Sequence, residues 1–116
     1  MAEKLCSLNT SGGGSGASWQ FLGKKTGSTS IALPSNFNQL LIEVIINNEP
    51  TLSVINIPIL AAQLLSTSRR YRSGVPSANG GQAAVVDASL SSVTLASALK
   101  DNSNVTSNSV ISVYYQ

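Results

Sequence analysis

The sequence predicts an all-β fold, an antiparallel β-sandwich or jelly-roll-like domain of about eight short strands. Three observations support this prediction. Apolar residues alternate with a period close to two along most of the chain. Serine, threonine and asparagine make up roughly a third of the residues, and these types favour turns and strands over helices. Turn signals recur about every 8–12 residues, a spacing typical of sandwiches and barrels.

The first 18 residues differ from the rest of the chain. They show no hydrophobic period and hold four of the nine glycines, in "SGGGSGASW". A phosphate-binding loop needs G-x-x-x-x-G-K-[ST], but Gly23-Lys24 is preceded by Ser18 at the first position and followed by Lys25. The glycines therefore predict a flexible leader over residues 1–18 and a single β domain over residues 19–116.

The strongest strand signal is "QLLIEVIIN", where Leu40 and Ile42 begin an apolar face that continues to residue 46. The opposite face is only partly polar, because it also carries Leu41 and Ile45. We expect these two residues to lie at an interface between subunits. In the first strand, Trp19 shares a face with Phe21, and this pairing predicts core packing for the tryptophan rather than stacking on a sugar.

Other segments give more local predictions. In "TLSVINIPIL" the apolar parity changes, which predicts a β-bulge near Val54–Ile55, and Pro58 places this strand at an edge or a strand end. "LAAQLL" predicts one helical turn, and Asn79-Gly80 predicts a hairpin. Near the C-terminus, Tyr114 and Tyr115 are expected on opposite faces of the last strand.

The residue types exclude much of catalytic chemistry. The chain has no histidine and one cysteine, Cys6, so histidine-dependent triads, histidine metal ligation and thiolate zinc sites are absent. Ser97-Ala98-Leu99-Lys100 matches S-x-x-K and Lys25-Thr26-Gly27 matches K-T-G, but their order is reversed and S-D-N is missing. We therefore predict no catalytic residue, no metal site and no cofactor.

Charge and hydropathy limit the partners. Only 10% of residues are charged, against about 25% in typical domains, and the net charge is +2. This basic footprint is too small to predict nucleic-acid binding. The N-terminus shows no apolar signal-peptide region, and no run approaches the ~20 apolar residues of a membrane span. The expectation is synthesis in a cytoplasm without membrane insertion.

One basic cluster, Arg69, Arg70, Tyr71 and Arg72, has recognition character. Arginine offers a rigid fork of donors and tyrosine a stacking face. Three interpretations stay open: charge that protects an edge strand from aggregation, an interface between subunits, or contact with an acidic or glycan ligand.

Several segments together resemble small β-rich proteins encoded by phages and prophages of Gram-positive and gut bacteria. They are "WQFLGKKTGSTSIALPSNFNQLLIEV", "YRSG", "VVDASLSSVTL" and "VISVYY", which lie within residues 19–116. Members of this group often carry a short glycine-rich leader. The resemblance implies a non-enzymatic virion component of tail-fibre, baseplate or receptor-binding type. It also implies a homo-oligomer, with a trimer favoured, that contacts other virion proteins and a host surface glycan.

Two other functions remain as alternatives. A bacterial carbohydrate-binding module would require an exposed aromatic platform, formed by Trp19 or Tyr71 in a groove. A small hydrolase would require two carboxylates converging in a cleft, drawn from Glu43, Glu49 and Asp87.

Overall fold

Two antiparallel sheets pack face to face in the computed structural model, which describes residues 18–51, 53–76 and 80–116. The strands in chain order are β1 (Gln20–Thr26), β2 (Ser30–Ala32), β3 (Gln39–Ile45), β4 (Val54–Leu60), β5 (Arg69–Val75), β6 (Gln82–Ala88), β7 (Ser92–Lys100), β8 (Ser103–Asn104) and β9 (Val110–Tyr115). Single turns of 3-10 helix occupy Ile46–Asn48, Ala61–Gln63 and Thr106–Asn108. The predicted all-β sandwich is confirmed, with nine strands in the described residues.

Sheet A has the strand order β1-β9-β3-β4, and sheet B has the order β2-β7-β6-β5, with β8 also paired to β7. The predicted hairpin is confirmed as an antiparallel β5–β6 pair whose register begins at Val75 opposite Gln82, with residues 76–81 between the strands. The tight turn expected at Asn79-Gly80 stays a prediction. Gly80 and Gly81 both have positive φ in the connecting loop, a backbone region that glycine enters without steric cost. Asn79 lies outside the described residues.

The core lies between the two sheets. From sheet A it takes the face of β3 that carries Leu40, Ile42 and Val44, all three with no exposed surface. From sheet B it takes both larger side chains, such as Leu95, and small ones, such as Ala84 and Ala98. Branched aliphatic residues fill the space between pleated surfaces well, which explains why isoleucine and valine dominate the cluster.

The predicted β-bulge at Val54–Ile55 is wrong. β4 pairs with β3 without interruption from Val54 opposite Ile45 to Leu60 opposite Gln39, and its residues alternate strictly between exposed and buried. The strand begins only at Val54, so the apolar pattern of the preceding residues does not determine which of its residues face the core. Leu52, on which the predicted phase change depended, lies outside the described residues.

An irregularity lies instead in β1, between Phe21 and Gly23. Phe21 pairs with Tyr114 and Gly23 with Val113, so Leu22 is the extra residue and the strand changes parity there. Phe21 consequently points away from the core and is 58% exposed. Trp19 precedes β1, is half-buried and is not part of the core cluster. The predicted core position of this aromatic pair is therefore wrong.

Several other predictions are confirmed. β4 is an edge strand of sheet A, as Pro58 requires. Ala61–Gln63 is the helical turn expected in "LAAQLL". Tyr115 packs against the core, while Tyr114 lies on the opposite side of β9. The leader predicted over residues 1–18 falls almost entirely on residues 1–17, which lie outside the described residues, and it stays a prediction.

Candidate functional site

Apolar side chains cover the outer face of sheet A, the side turned away from the core. The strand registers place these side chains in rows that cross all four strands. The face consists of Phe21, Leu41, Ile45, Val54, Pro58, Leu60, Val110 and Tyr114, with Lys24 and Glu43 as the charged residues of its rows. We call this surface the outer face of sheet A.

The aromatic row runs from Phe21 in β1 through Tyr114 and Leu41 to Pro58 in β4. The rings of Phe21 and Tyr114 are 5.5 Å apart between centroids and tilted by 58°, a favourable aromatic geometry. Leu41 is buried although it lies outside the core cluster. The row is therefore a packed apolar strip with one strongly exposed ring, Phe21, at its edge.

The charged row follows next, and it runs Lys24, Ser112, Glu43 and Asn56. Lys24 and Glu43 are separated by the intervening β9, so their backbones lie about 9–10 Å apart, two strand spacings. The ion pairs in the described part of the chain are Arg70–Asp87 and Lys100–Glu49. Lys24 and Glu43 therefore form no ion pair within this part of the protein.

The aliphatic row completes the face with Thr26, Val110, Ile45 and Val54. Val110 is buried, Ile45 is half-buried and Val54 is 37% exposed. The two residues predicted from the sequence as interface residues, Leu41 and Ile45, thus lie on one face, on either side of the charged row. Their role in an interface stays a prediction.

The electrostatic environment of Tyr114 also reflects this packing. Burial raises the pKa of the Tyr114 phenol, and the negative charge of Glu43 raises it further. Both effects disfavour the phenolate, because it would be poorly solvated and close to another anion. The aromatic and charged rows are therefore electrostatically coupled.

A polar groove of about 520 Å³ opens at the end of the aliphatic row. Its lining includes the amide side chains of Asn47, Asn48 and Asn108, together with Lys24. Asn47 and Asn48 have φ values of 54° and 56°, a left-handed conformation that asparagine tolerates. Apart from Lys24, the remaining lining residues are Thr26 and Val110, so the described lining holds no aromatic ring.

The arginine cluster is divided between two surfaces, because residues of a strand alternate in direction. Arg69 Nη1 and the Tyr71 hydroxyl donate hydrogen bonds of 2.9 and 3.0 Å to the carbonyl of Gln63. Tyr71 also packs on the core. These two side chains anchor the helical turn at Ala61–Gln63 and do not form an exposed stacking platform.

Arg70 and Arg72 point the other way, from the edge strand β5. Arg70 donates two hydrogen bonds to the Asp87 carboxylate, at 2.9 and 3.1 Å. This contact lowers the pKa of Asp87 and outweighs the opposing effect of burial, which raises it. Arg72 lines a second groove of about 130 Å³ with Gln82, Leu99 and Asn102. Charge on an edge strand fits the interpretation that it resists aggregation, which stays a prediction.

The three carboxylates considered for a hydrolase do not converge. Glu43 lies on the outer face of sheet A, and Asp87 pairs with Arg70 on the outer side of sheet B. Glu49 follows the turn after β3 and pairs with Lys100. In the described ranges, no group of three or more His, Cys, Asp or Glu side chains is close enough to hold a metal ion.

Sequence reasoning missed Phe21, Val110 and Tyr114 as members of the face. The alternation in "VISVYY" places Val110 and Tyr114 on the same side of β9 as Ser112, so their common face could have been read from the sequence. The position of Phe21 could not, because it depends on the bulge in β1. The alignment of Lys24 with Glu43 also could not be read from the sequence, because it depends on the registers of two strand pairs.

Comparison of the chain with protein-family models, curated proteins and solved structures found no match. Among the described residues, no helix has the length and apolar character needed to cross a membrane.

Proposed function

We propose that this protein is a non-enzymatic structural subunit of a phage or prophage virion that associates with copies of itself. The outer face of sheet A is the contact surface. In this role the subunit belongs to a tail-fibre, baseplate or head-surface assembly and also contacts other virion proteins.

The observation that carries the proposal is a sheet face outside the core on which two largely apolar rows flank the charged row. Phe21 is 58% exposed and Leu60 is 55% exposed, and they lie on the two edge strands of that face. Leu41 and Val110 lie between the exposed residues and are buried within the chain, so Phe21, Val54 and Leu60 form most of the water-exposed apolar surface of this face. Interfaces often concentrate aromatic and aliphatic residues at their centre, and self-association that covers Phe21 would remove its ring from water.

The virion assignment is supported by the resemblance noted in the sequence. "WQFLGKKTGSTSIALPSNFNQLLIEV" supplies β1 and most of β3, and "VISVYY" is β9. These are three of the four strands of sheet A. The other segments that carry the resemblance, "YRSG" and "VVDASLSSVTL", lie in β5, β6 and β7 of sheet B, so the resemblance spans both sheets.

Light scattering over a range of protein concentrations tests self-association. We expect a defined oligomer for the natural chain, with its mass deciding between the trimer favoured by the resemblance and a dimer. Phe21→Ser should shift the equilibrium toward monomer, because the ring lies on the outer face of sheet A. Val75→Ser is the matched control, since Val75 is 56% exposed but lies on sheet B. A monomer at every concentration contradicts the proposal.

The virion part is tested separately. Particles purified from a culture in which the encoding phage or prophage is propagated should contain the chain as a stoichiometric component by mass spectrometry. Its absence from intact particles contradicts the assignment even if the protein self-associates.

A second candidate function is saccharide binding, supported by the polar groove. Carboxamide groups donate and accept hydrogen bonds, as hydroxyl-rich ligands require. The three asparagines meet there beside Lys24. Binding on a glycan array that is lost in Asn48→Ala and Asn108→Ala variants would support host recognition. Binding that survives both substitutions would place the ligand elsewhere.

A further inference from the structure

The charged row of the outer face of sheet A carries opposite charges at equal distances from β9. Ser112 of β9 lies midway between Lys24 of β1 and Glu43 of β3, and Asn56 of β4 lies beyond Glu43. The flanking rows follow the same order, with Tyr114 between Phe21 and Leu41 in one of them. This arrangement constrains how two copies of the face can meet.

We propose that two copies pair face to face through the outer face of sheet A, about a two-fold axis that runs along β9. The inference rests on the proposed self-association and adds the partner, a second copy, and its register. A two-fold interface uses the same patch on both subunits. With the axis along β9, each residue of β1 lies over the residue of β3 that occupies the same row in the other copy.

This register brings opposite charges together. Lys24 of each copy lies over Glu43 of the other, so two ion pairs form across the interface. In the neighbouring rows, Phe21 lies over Leu41, and Thr26 lies over Ile45. Ser112 lies on the axis, and its small side chain leaves room for the larger residues around it. Sheets packed in this way lie about 10 Å apart, with strands aligned to within about 30°.

The alternative two-fold axis lies in the same plane but runs across the strands along the charged row. It would place Lys24 over Lys24 and Glu43 over Glu43. Like charges facing each other across an interface are strongly unfavourable, so the charge pattern selects the axis along β9. Because desolvation opposes the gain from such pairs, their main effect is to fix register, while burial of exposed apolar surface, chiefly the Phe21 ring, favours association.

Charge reversal tests the register. Lys24→Glu places like charges opposite each other, and so does Glu43→Lys. Each single variant should weaken self-association by at least about tenfold. The double variant K24E/E43K restores both ion pairs with reversed sign, and its dissociation constant should return to near that of the natural chain. Sedimentation equilibrium measures all four proteins, and circular dichroism confirms that each is folded.

Lys25→Glu is the matched control. Lys25 is the next residue of β1, is also exposed, and pairs with Ile111 rather than Ser112, so it lies outside the charged row. This substitution makes the same change in net charge and should leave the dissociation constant unchanged. An equal effect of K25E and K24E would show a general charge effect and overturn the register.

The other outcomes separate this inference from the proposed function. A natural-chain dimer that is unaffected by either single reversal overturns the register but leaves self-association standing. The mass of a trimer overturns the two-fold axis but likewise leaves self-association standing. A monomer overturns both. A variant lacking residues 1–17 should still dimerise, and loss of the dimer on that deletion would assign the contact to the leader instead.

Discussion

Leu40 and Leu60 lie on opposite sides of sheet A. Because both are leucines, substituting each by alanine compares how a buried and an exposed side chain contribute to the free energy of unfolding. Leu40 has no exposed surface, whereas Leu60 is 55% exposed on β4. We expect Leu40→Ala to lower the free energy of unfolding by about 2–5 kcal/mol, through lost burial and the cavity left behind. Leu60→Ala should cost less than about 1 kcal/mol, since little surface is removed from water there. Urea unfolding of the two variants measures the difference, and equal effects would contradict the assigned faces.

The phenol of Tyr114 should make stability depend on alkaline pH. Its pKa is raised in the folded protein, first by burial and second by Glu43. The folded state therefore holds this proton more tightly than the unfolded chain does. The resulting stability is complete below the ordinary tyrosine pKa of about 10 and is lost as pH rises through the folded value.

Tyr114→Phe removes this titration, so its free energy of unfolding should fall less steeply above pH 10 than that of the natural chain. Urea unfolding at closely spaced pH values measures the slopes. Glu43→Gln should give an intermediate slope, because it removes only the smaller of the two causes. Identical slopes for the natural chain and Tyr114→Phe would show that this phenol does not contribute.

At the scale of single elements, sequence patterning succeeded where a strand is regular and failed where it is not. β3 reads correctly because its pairing with both neighbours is regular, and Leu40, Ile42 and Val44 all lie in the core as predicted. The prediction for β1 assigns Phe21 to the wrong face. The extra residue at Leu22 reverses which residues face the core, and a strict period of two cannot reveal such a shift. The bulge predicted in β4 fails for a different reason. The prediction treats residues before Val54 as part of the strand, but the strand begins only at Val54.

Two strand glycines provide a test of backbone packing. A Cβ at Gly74 of β5 would collide with the backbone oxygen of Gln82 on β6, which cannot move without disturbing the β5–β6 pairing. A Cβ at Gly23 would only approach the Ile31 side chain, at 3.4 Å. Gly74→Ala should destabilise the protein by about 1–3 kcal/mol, the usual range for overpacking.

Gly23→Ala should be close to neutral by comparison. Thermal unfolding of both variants measures the contrast. A Gly74→Ala protein as stable as Gly23→Ala would show that the edge strand β5 can shift away from β6 at little cost.

The last strand should be indispensable. β9 lies inside sheet A and pairs with β1 on one side and β3 on the other. Removing residues 113–116 deletes Val113, which is fully buried, and most of the pairing partners at that end of both neighbours. Because domains are stable by only about 5–15 kcal/mol, we expect the truncated chain not to fold. Removal of residues 1–17 is the control, since the first strand begins at Gln20. Circular dichroism and the dispersion of amide NMR signals distinguish the outcomes.

On the scale of the whole molecule, both sheets share one core, so they should unfold together. The cluster joins Leu40 and Ile111 of sheet A to Val86 and Leu95 of sheet B. We expect coincident urea transitions from Trp19 fluorescence and from circular dichroism. Refolding should take roughly milliseconds to seconds, because strands distant in sequence, such as β1 and β9, must pair. A separate early transition for either sheet would contradict a shared core.

The candidate site could be predicted only in part. Leu41 and Ile45 were identifiable because an apolar residue on a nominally polar face is visible in the sequence of one strand. Their neighbours in the rows come from β1, β4 and β9, up to about 70 residues away along the chain, and only the registers align them. The arginine cluster shows the reverse case, since four adjacent residues in sequence divide between two surfaces in the fold.

Pro58 has a consequence for how the proposed assembly would end. It lies within β4, one of the two edge strands of sheet A, and has no backbone N–H to donate to a further strand. A chain that stacks through a flat apolar face while its sheet edge is left open would be at risk of growing into fibres. The proline ring and the missing donor make that sideways propagation unfavourable. At the β4 edge, strand addition by another copy is then disfavoured, whereas the proposed two-fold pairing through the flat face is complete after one partner has bound.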